Sequence, residues 1–106
     1  MREPALTADQ IRALRRAPFR GLAPDCAHWG KIEIHGSAER PGRICDGTDV
    51  AALLGLGLLQ AVPLEEPWPV GRHPTIGLVV ATHSYTRTKR GEQALIAVMR
   101  AEAIRL

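Results

Sequence analysis

Aromatic side chains are scarce in this chain: Phe19, Trp29, Trp68 and Tyr85 are the only four in 106 residues, so the core must be aliphatic. Cysteine occurs twice, at Cys26 and Cys45. A disulfide between them would need an oxidising compartment. No uninterrupted apolar h-region is visible between Met1 and Arg20, so the expected localisation is cytoplasmic, and the two are read as free thiols first and metal ligands second. No apolar run approaches the roughly 20 residues of a membrane span, so no membrane partner is expected. A Gly-rich phosphate loop, a G-x-S-x-G elbow and paired carboxylates on a recognisable scaffold are also missing. His83 and Ser84 are neighbours in a β-prone run, which sends their side chains to opposite faces and prevents a direct base–nucleophile pair. Neither an enzyme nor a cofactor is expected. There is no internal repeat and no low-complexity segment.

What is present describes an ordinary globular protein. Hydrophobic residues make up 45% and charged residues 24%, which excludes a disordered chain, and the length suits one domain over 1–106. The net charge of +3 is unevenly spread: residues 1–20 carry +3, residues 21–70 carry −4 and residues 71–106 carry +4. If the two basic ends meet in the fold, they make a positive face suited to a polyanion. Arginines that merely solubilise helix surfaces are the plain alternative.

Beyond a loose tail over residues 1–5, the first helix is well marked. In Leu6-Thr7-Ala8-Asp9-Gln10-Ile11, Thr7 and Gln10 form a capping box, while Leu6 and Ile11 occupy the two positions of a hydrophobic staple. The spacing predicts a helix over about 7–17, ended by Pro18, with Ile11 and Leu14 inward and Arg12, Arg15 and Arg16 outward. From Phe19 to Asp46, glycine and proline interrupt every pattern except Lys31-Ile32-Glu33-Ile34-His35, whose period of two predicts an extra strand at 31–35. Residues 24–29 are expected to form a helical turn.

A second helix is expected over about 48–56, N-capped by Thr48 or Asp49, with Val50, Leu53 and Leu54 on one face. Gly57 fits the left-handed position past its end, which brings Leu58 against Leu53 as in a Schellman motif. Strands at about 58–64 and 76–87 then form a β-hairpin around a stiff loop that holds Pro63, Pro67, Pro69, Pro74, Glu65, Glu66 and Trp68. Thr88 caps a last helix over about 88–104. Its apolar positions Ala94, Leu95, Ile96, Ala97, Val98, Met99, Ala101, Ala103 and Ile104 cover more than one stripe, and that extra width predicts a homodimer through the C-terminal helix.

A helix ending in Gly57-Leu58-Leu59, a hairpin with Tyr85 in its return strand, and a last helix opening at Thr88-Lys89-Arg90-Gly91 form a succession that resembles the winged-helix (winged helix-turn-helix) family. About half of the chain carries the resemblance, through short motifs. It implies an α+β, winged-helix-like fold with the hairpin as the wing, of the small bacterial or phage-type kind. It also implies a transcription-regulatory or accessory role on duplex DNA. Typical members have a second helix in the region read here as strand and loop, so a strand or loop is expected to replace it.

The candidate DNA-binding residues are Arg12, Arg15, Arg16, Arg87, Lys89 and Arg90. Lys89 and Arg90 stand in the first turn of the last helix, where the dipole disfavours cations; phosphate contact would account for them, aided by the amides of that helix end. The helix that would enter a major groove, Asp49 to Leu56, has no Arg, Lys, Asn or Gln, the residues that read base edges through paired hydrogen bonds. Contacts are therefore expected to fall mainly on the DNA backbone. Two other readings stay open. One is a protein–protein interaction module or inhibitor that uses the apolar helix and the acidic middle with Glu65, Glu66 and Trp68. The other is a zinc-organised small domain, since Cys26, His28, His35 and Cys45 place four ligand-capable side chains within twenty residues, although at no C-x-x-C spacing.

Overall fold

The computed structural model describes residues 5–26, 33–35, 43–73 and 77–105. The tail at 1–4, residues 27–29 of the expected turn, Lys31, Ile32 and Pro74 lie outside the described residues. In chain order the elements are α1 (Ala8–Arg16), β1 (Phe19–Gly21), β2 (Glu33–His35), β3 (Arg43–Asp46), α2 (Gly47–Gly55), β4 (Leu59–His73), β5 (Gly77–Arg87) and α3 (Lys89–Arg105). The architecture is mixed α+β: a three-stranded sheet in the order β1-β5-β4 and a separate pair β2-β3, all antiparallel.

α1 starts as its local chemistry dictates. The Gln10 amide donates to Thr7 Oγ1 at 3.1 Å and the Thr7 amide to Gln10 Oε1 at 3.0 Å, closing the capping box in both directions. Ala13 and Leu14 are fully buried, while Ile11 is half-buried beside Leu6 in one apolar groove. The helix stops at Arg16, and the Ala17–Pro18 peptide that follows is cis.

β1 matches no predicted element, because three residues are too few to show a period of two. Its existence comes from distant pairing: Phe19 lies opposite Tyr85, Arg20 opposite Ser84 and Gly21 opposite His83. Phe19 and Tyr85 stack with centroids 5.7 Å apart, and the Tyr85 hydroxyl donates to Leu22 O. The expectation of an aliphatic core is corrected accordingly. Leu14, Val50, Leu53, Leu58, Leu59 and Leu95 do belong to the core, but its largest fully buried side chains are Tyr85 and Phe19.

The strand expected at 31–35 is present over Glu33–His35, paired with the unpredicted β3. Of the helical turn expected at 24–29, the described part is a turn at residues 24–26, where the Cys26 amide donates to Ala23 O at 2.8 Å. α2 follows β3 directly and begins at Gly47, so Thr48 and Asp49 lie within its first turn and not at its N-cap. Its C-terminus closes as read from the sequence. Gly57 takes φ +74°, its amide donates to Leu54 O at 3.1 Å, and the Leu58 amide donates to Leu53 O at 3.0 Å. Those are the two bonds of a Schellman motif, and they bury Leu53 and Leu58 together.

The hairpin departs most from expectation. β4 runs for fifteen residues straight through the segment read as a proline loop. Its register passes from Pro63 opposite His83 to Trp68 opposite Ala81, so three extra residues bulge out of β4, and a second irregularity separates Pro69 from Gly71. Proline lacks the N–H that an inner strand must donate. β4 is an edge strand, where that loss is tolerated, and bulges add further room.

α3 is docked by its first turn. The Gly91 amide donates to Thr88 Oγ1 at 3.0 Å, the same hydroxyl donates to Gly57 O at 2.6 Å, and the Thr88 amide donates to Leu58 O at 3.1 Å. A Cβ at Gly91 would collide with the Leu58 carbonyl, standing 3.0 Å from its carbon. Thr88-x-x-Gly91 therefore works as a joint: a hydroxyl grips the turn, and a bare Cα lets two backbones touch. Among the described residues no helix is long and apolar enough to cross a membrane.

Candidate nucleic-acid interface

Arg12, Arg15 and Arg16 are exposed on α1. Residues three and four apart share a helical face, and these three line one groove of about 390 Å³ with Ala8, Ile11 and Glu102 of α3. Two of them have carboxylate partners: Arg12 Nη1 lies 3.5 Å from Asp9 Oδ1, and Arg15 Nη2 lies 3.4 Å from Glu102 Oε2. All four of these side chains are more than half exposed. Such pairs contribute about 0–1 kcal/mol, so an incoming phosphate can replace either carboxylate.

Arg87 is placed differently. From the end of β5 its Nη1 donates to Leu14 O at 2.9 Å, Arg15 O at 3.1 Å and Ala17 O at 2.8 Å, and its Nε donates to Glu92 Oε1 at 2.7 Å. The Leu14 and Arg15 carbonyls belong to the last turn of α1, which has no helical donors for them and carries the negative end of the dipole. One guanidinium thus ties α1, β5 and α3 together and joins the two basic ends of the chain. With 23% of the side chain exposed, Arg87 anchors the basic face from beneath.

Lys89 and Arg90 are exposed in the first turn of α3 and do not line the arginine groove. At 1.5 Å per residue, Glu102 lies roughly 20 Å farther along the helix axis. Of the six candidates, three share a groove, one is built into the junction, and two stand at the other end of α3. α2 offers little surface for groove reading, since Gly47, Val50 and Leu53 are buried and only Thr48 and Gly55 are exposed.

Sequence reasoning missed one arrangement. Arg20 on β1 lays its guanidinium over the indole of Trp68 on β4, 4.0 Å from the ring centroid, and Trp68 remains 38% exposed. The two residues come from strands on either side of β5. The only signal in the sequence is a tryptophan among prolines and acids.

On α3, Ala94 and Leu95 are buried, whereas Ile96 and Met99 are 45% and 53% exposed. Between α3 and α1 lies an apolar groove of about 290 Å³, lined by Leu6, Ile11, Leu58, Ala94, Val98 and Ala101 among others. The Cys26 thiol is free and half-buried. Its pKa is raised, first by burial and then by the charge and hydrogen bond of Asp25, which disfavours the thiolate a metal requires. His28 and the side chains of His35 and Cys45 lie outside the described residues; among the described residues no three metal-ligating side chains cluster. His83 Nδ1 pairs at 2.8 Å with the hydroxyl of its other neighbour, Thr82. Comparison of the chain with models of known families, with curated proteins and with solved structures finds no match.

Proposed function

We propose that this chain is a small DNA-binding protein, accessory or transcription-regulatory, on a winged-helix-like scaffold, and that it holds duplex DNA mainly through phosphates. The observation that carries the reading is the groove of Arg12, Arg15 and Arg16, formed where the two basic ends of the chain are joined by Arg87. Its guanidinium groups are exposed and weakly paired, so binding phosphate costs little existing structure. The hairpin β4-β5 between α2 and α3, with β1 added along β5, supports the wing assignment, and the pair β2-β3 stands where a second helix would be. Exposed Ile96 and Met99 support a homodimer through α3, which would present two basic grooves.

A salt titration tests the reading. Affinity for a long duplex should fall with a log–log slope near −0.9 per phosphate neutralised. Replacing Arg12, Arg15 and Arg16 together by Gln should flatten that slope by roughly 2–3 units and leave the melting transition in place. No complex with long duplex at low salt would sink the proposal. Arg87 is the wrong residue for this test, because its loss acts on the fold.

A protein partner is the second reading, favoured by Ile96 and Met99, which α3 leaves exposed. It expects the triple Gln variant to keep its activity and Met99→Asp to lose it.

A further inference from the structure

We infer that Trp68, held against Arg20, is a stacking platform for an unpaired nucleobase, so the wing binds single-stranded or locally opened nucleic acid next to the arginine groove. The inference rests on the nucleic-acid reading and gives that face a second ligand. Three observations carry it. Trp68 sits where the register of β4 breaks, and a bulge re-aims a side chain that a regular strand would point elsewhere. More than a third of the residue faces solvent, while the guanidinium covers one ring face at 4.0 Å. Arg20 itself has no carboxylate partner among the described residues, so its in-plane N–H groups can reach a phosphate while its face stays on the indole.

A stacked ring needs a base with a free face. Bases inside a duplex already stack on one another, whereas a single strand offers one face after another, and Trp–Arg pairs suit it. Arg20 follows Arg16 by four residues, at most about 14 Å of extended chain, so one strand can touch both. Glu65 and Glu66 are exposed in the same bulge and repel phosphate. Stacking, which salt hardly screens, therefore has to supply the affinity at this end.

The test uses the full chain carrying Trp29→Phe, which leaves Trp68 as the sole tryptophan. Oligo-dT of about twenty nucleotides should quench its emission, and a blunt duplex of equal length should leave it nearly unchanged. Trp68→Ala should weaken oligo-dT binding by roughly 5- to 150-fold, the range for one stacked base, and duplex binding by less than twofold; Trp68→Phe should retain most of the single-strand affinity. If duplex binds while oligo-dT neither quenches nor responds to Trp68→Ala, the platform is overturned and the duplex reading stands. Equal losses for both nucleic acids also overturn it. If neither binds at low salt, both proposals fall.

Discussion

The joint at the start of α3 and the outer hairpin are built on opposite terms. At the joint, Thr88 and Arg87 place their donors on Gly57, Leu58 and the end of α1, and Gly91, whose amide donates to the Thr88 hydroxyl, leaves no space for even a methyl group. In the hairpin, Val62, Trp68 and Leu78 are 46%, 38% and 59% exposed, and β4 absorbs four extra residues, three of them between Pro63 and Trp68. The contrast separates residues that look alike in the sequence. Arg87 and Arg16 are both basic residues beside a helix end, yet one is consumed by carbonyls inside the molecule and the other is open to a ligand. Groups without internal partners are where binding can be added at little cost to the fold.

The sharpest way to break this comparison is Gly91→Ala. In an open helix position the change would stabilise by about 1 kcal/mol; here the collision with backbone should destabilise by roughly 3 kcal/mol, read as a lower urea midpoint, and a stabilised variant would show that the joint is loose. Arg87→Met comes next. It leaves three carbonyls without their donor, at a cost of about 2 kcal/mol, and any drop in DNA affinity should follow the fraction unfolded. Weaker DNA binding with unchanged melting would make Arg87 a ligand contact after all. The smallest effect belongs to the hairpin: Leu78→Thr should shift stability by no more than about 0.5 kcal/mol, and a loss of 2 kcal/mol would mean that this face is covered.

The start of α1 and the end of α2 illustrate what was legible. The capping box of Thr7 with Gln10 and the Gly57 turn with its Leu53–Leu58 contact were readable because each closes within a few residues, whatever the rest of the chain does. Proline in β4 misled for the complementary reason. Its missing N–H signals a loop only if the strand has neighbours on both sides, and whether β4 lies at an edge is settled by β1 and β5. The two largest core side chains, Phe19 and Tyr85, likewise could not be assigned to the interior until β1 was known to pair with β5. The basic site was half legible: Arg12, Arg15 and Arg16 share a face by helical period alone, but their groove needs Glu102, and the Arg20–Trp68 contact spans three strands.

By itself, then, the amino-acid order determined where α1 and α3 begin and where α2 ends, and that basic residues crowd both ends of the chain, since caps and turns are short-range hydrogen-bond problems with few solutions. Only the tertiary structure decided which arginine became an anchor and which remained available, which prolines a strand could carry, and which tryptophan met a cation. Those outcomes depend on partners dozens of residues away, and local propensity carries no information about them.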